Sequence, residues 1–128
     1  MFSRRTMLIA AAAFSLSVPA FAAESLKFTT PAFQAAQAAG KPIIVEVHAD
    51  WCPVCTKQKP ISATLRNKPE FRNAAFFTVD FDTQRDALTL FKVTKQSTMI
   101  SFKGKAEKGR STGVTDAAEI EKLWRQAL

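Results

Sequence analysis

The sequence predicts a single α/β domain in which a central mixed sheet of four to five strands is flanked by helices, in the order βαβαβαββα. Three observations lead there. Ile43-Ile44-Val45-Glu46-Val47 and Ala75 to Phe81 are nearly continuous apolar runs bounded by turn residues, as in strands covered on both faces of a parallel sheet. Helical stretches separate these early strands, which supplies the crossovers that parallel pairing needs. Lastly, Thr98 to Lys103 and about Glu107 to Ser111 are short strands divided by a turn at Gly104, which implies an antiparallel edge.

Residues 1–22 stand apart from that domain and are read as an export signal. Ser3-Arg4-Arg5 is a positive leader, Met7 to Val18 an apolar segment, and Ala20-Phe21-Ala22 puts small residues where a signal peptidase reads them. The apolar run is broken by Ser15, Ser17 and Pro19 and falls short of the roughly 20 residues that span a bilayer, so no stable membrane insertion is expected after cleavage. Ser3-Arg4-Arg5-Thr6-Met7-Leu8 resembles the twin-arginine signal, with Met7 where that signal usually has Phe, which leaves twin-arginine and general secretion both open. The chain is bacterial in style, and a periplasmic location follows, where disulfides persist.

Residues 24–128 show no repeat, linker or low-complexity stretch. Ser25 to Thr30 reads as a first strand. Pro31 then opens a helix with Phe33, Ala36 and Ala39 inward, and Gly40 closes it as a left-handed cap. After the Ile43–Val47 strand, residues 53 to 67 read as a helix with Pro53 near its start and Pro60 inside. Pro69 to Asn73 adds a turn before the strand Ala75 to Phe81. Asp82 is the expected cap of a helix from Thr83 to about Lys92, with Ala87, Leu88 and Phe91 inward. Gly113 precedes Thr115, the expected cap of a last helix ending at Leu128 with Ile120, Leu123, Trp124 and Ala127 as its buried stripe. The formal charge of +7 includes Arg4 and Arg5, and the remaining Lys and Arg are scattered. That pattern describes a solvated surface and no nucleic-acid partner.

The chemistry is concentrated in Trp51-Cys52-Pro53-Val54-Cys55, which holds both cysteines of the chain at a strand-to-helix junction. A structural disulfide there would close a tiny loop and constrain the unfolded chain little. A closed zinc site takes four ligands, whereas the chain beyond residue 22 offers two Cys, one His and one Met. A redox pair suits the placement best, and the other two readings stay open behind it. At a helix N-terminus, unpaired N–H groups and the helix dipole favour a thiolate, so Cys52 is expected to be the reactive sulfur, open to solvent. Cys55, one turn further in, is expected to be shielded yet within reach of a mixed disulfide on Cys52. There is no GxGxxG or Walker sequence, and no cofactor is expected.

The stretch Ile44 to Cys55 resembles the active-site strand and loop of the thioredoxin family. Pro60, Val79-Asp80, the run Thr98 to Gly104, and Gly113 before the last helix agree with that likeness, which extends over about residues 25 to 128. The resemblance implies a thioredoxin-like fold and an exported protein thiol–disulfide oxidoreductase acting on disulfide-containing proteins, with an unidentified thiol donor or acceptor as its second partner. It assigns Cys52 as the attacking thiol, Cys55 as the resolving one and Glu46 as the buried acid that moves the Cys55 proton. The substrate surface falls to Trp51, Pro53, Ser97 and Thr98. The acid at Glu46 is similar to that of exported disulfide reductases, so reduction is favoured over oxidation.

Two departures stand out. The family has a cis-proline where this chain has Ser97. A non-proline cis bond costs about 2.5–4 kcal/mol, so a trans Ser97 is expected, with its N–H and hydroxyl offered to the cysteines or the substrate. His48 replaces a bulky aromatic beneath the active site, where it either favours the Cys52 thiolate or serves as a hydrogen-bonded structural group. It also leaves open a soft-metal site with Cys52, Cys55 and Met99, the basis of an alternative reading as a copper or zinc delivery protein.

Overall fold

A computed structural model describes residues 23–128, with Ser15 alone before them, so the predicted export signal lies outside the described residues. The strands are β1 (Ser25–Lys27), β2 (Pro42–His48), β3 (Ala75–Asp80), β4 (Thr98–Lys103) and β5 (Ala106–Thr112). The helices are α1 (Thr30–Ala38), α2 (Pro53–Arg66), α3 (Arg85–Phe91) and α4 (Ala117–Arg125), with a short 3₁₀ turn at Pro69–Phe71. The sheet has five strands in the order β1-β3-β2-β4-β5. β3 pairs parallel with β1 and β2, while β4 pairs antiparallel with β2 and β5. The predicted element order and mixed pairing are thus those of the structure.

β2 lies at the centre, and its alternation feeds two cores. Ile43, Val45 and Val47 point into a cluster with Phe28, Phe33, Phe77, Phe91 and Phe102 under α1 and α3. The Phe33 ring meets those of Phe91 and Phe102 nearly edge to face at 5.1 and 5.3 Å, the geometry that aromatic quadrupoles prefer. Ile44 points the other way, toward Leu65, Phe71, Phe76, Met99, Ile120, Leu123, Trp124 and Ala127 under α2 and α4. There the wholly buried Trp124 ring packs 5.6 Å from Phe71 and 5.1 Å from Phe76.

Helix starts differ from expectation in instructive ways. Thr29 caps α1 by accepting the Ala32 N–H at 3.3 Å, so the chain leaves β1 early and Pro31 is the second helical residue. Asp82 does not cap α3. Asp80 does the local work, its carboxylate accepting the N–H groups of Asp82 at 2.8 Å and Thr83 at 3.0 Å. These two bonds hold that carboxyl below its ordinary value. For α4 the cap is Asp116, which accepts the Glu119 N–H at 2.9 Å, and not the neighbouring Thr115. Carboxylates hold such caps well because they complement the partial positive charge of a helix N-terminus.

Trp124→Ala should lower the unfolding free energy by about 3–5 kcal/mol, the usual cost of emptying a large aromatic site. Urea titration followed by far-UV circular dichroism reads that loss as a lower midpoint.

Candidate active site

β2 ends at His48, and a tight turn, in which Cys52 N–H donates to Ala49 O at 3.1 Å, leads straight into α2. Cys52 is the N-cap of α2, and its sulfur accepts the Cys55 N–H at 3.1 Å. Pro53 follows in the first turn, where its missing N–H costs nothing. Cys55 faces back toward the sheet, its thiol donating weakly to Val47 O at 4.0 Å. Both cysteines are thiols.

Cys52 is only 1% exposed and Cys55 2%, so the expectation of a solvent-open Cys52 is corrected. The reason lies in packing: the capping sulfur is enclosed by Ala49, Cys55, Val54 and Phe81, whereas the capping side chains of Thr29 and Asp116 stay exposed. Burial pushes the Cys55 thiol up to about 11, and the Cys52 thiol beside it adds to the rise. The peptide N–H groups of Ala49 and Ser97 pull in the opposite direction.

Glu46 stands on the α2-facing side of β2. Burial raises its carboxyl above the ordinary value of 4.5, and the neighbouring Ser62 hydroxyl, Arg66 and His48 pull it part-way back. Its Oε1 is buried without a hydrogen-bond partner, as is the Ser62 Oγ, and Glu46 belongs to none of the ion pairs among the described residues. The structure brings Glu46 toward Ser62 and Arg66, while the Cys55 thiol donates to the Val47 carbonyl.

Trp51 is 58% exposed beside the cysteines. Its indole N–H donates to both Asp82 carboxylate oxygens, at 2.9 and 3.2 Å, and its ring meets Phe81 edge-on at 6.4 Å. Asp82, relieved of capping by Asp80, thus anchors the active-site loop. Pro53 is exposed next to Trp51. His48 Nε2 lies 3.1 Å from the exposed Asp50 carboxylate, a hydrogen-bonded position. Met99 is buried in the α2–α4 core, and among the described residues no three His, Cys, Asp or Glu side chains converge to hold a metal.

Ser97 is trans, as expected, and buried. Its φ of +61° is left-handed, which costs a non-glycine residue roughly 1–2 kcal/mol. The Ser97 N–H donates to Val47 O at 2.8 Å, and Ser97 O accepts Gly113 N–H at 3.1 Å. The hydroxyl expected to face the cysteines or a substrate donates instead to Gln96 O. In this left-handed conformation the adjacent carbonyl is the acceptor at hand. Thr98 is buried too, its hydroxyl engaged with Lys95 O and Thr112 Oγ1 at 2.8 and 2.9 Å.

This arrangement of sheet, helix start and paired sulfurs has counterparts. The family model described as Thioredoxin matches residues 24–126. The chain belongs to the thioredoxin family. It is 36% identical over 94 residues to a thioredoxin of Callithrix jacchus, covering 72% of this chain and 84% of that one. A thioredoxin of Mycoplasma pneumoniae is 30% identical over 89 residues, 70% of this chain and 85% of its own length. Among solved structures, Trxlp from Edwardsiella tarda superposes with a TM-score of 0.77 at 39% identity, over 79% of this chain and 98% of that one. Thioredoxins are thiol–disulfide oxidoreductases acting on disulfide-containing proteins, and that is the reaction class of this chain.

Sequence reasoning missed two residues of this thioredoxin site. Asp82 was assigned to a helix cap, and Gln58 was not singled out. Gln58 is 6% exposed on α2, and its amide donates to Ser97 O at 3.2 Å and Val114 O at 2.9 Å. Its signal was available: a polar residue three positions after Cys55 shares the inward face of the helix.

For Glu46, the folded chain holds a proton between the ordinary and the raised value that the unfolded chain has lost. Stability therefore falls as pH rises through that window. Glu46→Gln should be more stable than the wild type at about pH 8, with the gain vanishing below about pH 4. Urea midpoints at the two pH values measure the difference.

Proposed function

We propose that this thioredoxin is exported and reduces disulfides of proteins outside the cytoplasm, Cys52 attacking and Cys55 resolving. The observation that carries the reading is Cys52 capping α2 with the Cys55 N–H on its sulfur, which keeps both sulfurs in the first helical turn. A Cys52 thiolate attacks one sulfur of a substrate disulfide, forming a mixed disulfide and releasing the other substrate sulfur as a thiolate. Deprotonated Cys55 then attacks Cys52, forming the Cys52–Cys55 disulfide and freeing the second substrate thiolate. Two electrons leave the cysteine pair in each cycle, and an external dithiol donor returns them. Glu46 accepts the Cys55 proton in this reading, supported by its raised pKa and its place on β2.

A substrate meets Trp51 and Pro53 first, both exposed beside the buried Cys52. The Cys52 sulfur leaves the Cys55 N–H and turns outward as it attacks. Reduction is supported by the buried acid at Glu46, which resembles that of exported disulfide reductases. Export is supported by Ser3-Arg4-Arg5, the apolar run from Met7 to Val18 and Ala20-Phe21-Ala22.

In insulin reduction assays with a dithiol donor, Cys52→Ser should fall to the background rate. Cys55→Ser should accumulate a mixed disulfide on Cys52, visible on non-reducing gels. A Cys52–Cys55 potential near about −270 mV supports a reductase, and one near about −120 mV reverses the assigned direction. Wild-type protein that is inactive yet holds stoichiometric copper or zinc favours metal delivery instead. Mass spectrometry of the periplasmic fraction should find a chain starting at Ala23. An uncleaved chain confined to the cytoplasm rules export out.

A further inference from the structure

The spacing of α3 puts Arg85, Leu88, Thr89 and Lys92 along one helix face, at intervals of three and four residues. That face, with Phe81 before the helix and Val93 after it, lines an open groove of about 640 Å³. Phe81 joins the groove to the cysteines: it packs against the cluster of Ala49, Cys52 and Cys55, and its ring meets Trp51 edge-on at 6.4 Å. An apolar floor of Phe81, Leu88 and Val93 thus starts where the sulfurs are enclosed. No carboxylate lines this groove, and its two cations, Arg85 and Lys92, are exposed and outside the ion pairs of the described residues. Arg85 stands between the groove and a second cavity, and it is that cavity which Asp82 and Asp86 line. Lys92 closes α3 at a φ of +54°, a conformation that helix ends usually give to glycine. The fold keeps a lysine there at a backbone cost.

We propose that this groove holds the substrate chain beside its disulfide and selects segments in which an apolar residue neighbours an Asp or Glu. The proposal rests on the reading of Cys52 as the attacking thiol of a reductase, and it narrows the class of protein served. The apolar side chain takes the floor, where it and the exposed parts of Phe81, Leu88 and Val93 leave water together. The carboxylate lies between Arg85 and Lys92 and supplies the counter-charge that the fold withholds from them. Two positive charges on an open rim act mainly by steering, which speeds encounters with acidic partners and disfavours basic ones. The groove thereby acts on which disulfides reach Cys52, and leaves the sulfur exchange to the cysteine pair.

The test uses reduced full-length protein and disulfide-bonded peptides that differ only beside one cysteine, where Leu-Glu, Leu-Gln, Leu-Lys or Ser-Glu is placed. At low ionic strength the Leu-Glu peptide should be reduced about tenfold faster than the Leu-Gln peptide, and about 0.5 M salt should erase most of that advantage by screening. The Leu-Lys peptide should be slowest, and the Ser-Glu peptide should fall several-fold behind Leu-Glu for want of an apolar contact. Arg85→Glu with Lys92→Glu should invert the preference of Leu-Glu over Leu-Gln. Arg85→Gln with Lys92→Gln, which should abolish it, takes over if the reversed variant fails to fold. A wild type without the preference, or a preference that these substitutions leave intact, overturns the proposal. A second readout needs no reduction: a Leu-Glu peptide with Ser for both cysteines should shift the amide NMR signals of Phe81, Leu88 and Val93. An inactive wild type that shows those shifts defeats the reductase reading alone, and an inactive one without them defeats both. Dimerisation that moves the same signals without peptide makes a second copy of the chain the occupant and overturns the proposal.

Discussion

The peptide N–H that points from Cys55 to the Cys52 sulfur exists because α2 begins within a few residues of where β2 ends. β2 is the sheet's central strand, flanked by β3 and β4 and covered on both faces, so its C-terminal end is among the most firmly fixed points in the molecule. The turn after His48 inherits that rigidity, and the first turn of α2 is delivered to one place. The aromatic layer of Phe28, Phe33, Phe77, Phe91 and Phe102 serves the cysteines indirectly, by immobilising the strand that aims them. Redox chemistry of this kind tolerates little slack, because a resolving sulfur must reach its partner without a large rearrangement.

Much of this was legible in the sequence, and for identifiable reasons. The β-branched run at Ile43–Val47, the paired cysteines, the inward stripe of α4 and the glycines at 40, 104 and 113 are local signals whose meaning survives folding. Those glycines all have positive φ, as turns and helix ends demand. The failures came where two candidates competed for one role. Asp80 and Asp82 both stand at the entrance to α3, and only the tertiary contact with Trp51 separates them. Thr115 and Asp116 are neighbours of equal promise, and the carboxylate caps the helix. The burial of Cys52 was invisible for a different reason, since it depends on how Ala49, Val54 and Phe81, brought together by the fold, close around the sulfur. Gln58 was missed because amphipathic patterns treat a polar residue on an inward face as noise, when such residues are often hydrogen-bonded to otherwise orphaned backbone.

The site treats its buried polar groups in contrasting ways. Gln58 satisfies two carbonyls and knits three segments together. Glu46 and Ser62 sit close by with buried oxygens that lack hydrogen-bond partners. The first arrangement fixes geometry. The second stores a protonation preference, because a carboxyl in such surroundings keeps its proton to higher pH. Shape and proton affinity are thus assigned to different residues, Gln58 on α2 and Glu46 on the strand it covers.

The borders of the sheet carry a consequence for a protein that handles other chains. β1 is only three residues long, and β5 is broken in register near Ser101/Phe102 and bears Lys108 and Arg110 beside Glu107. Short, charged or bulged margins resist the addition of a foreign strand. A partner whose disulfide is being opened presents loosened backbone with spare hydrogen-bonding capacity. Such a polypeptide finds no long, flat template along either margin.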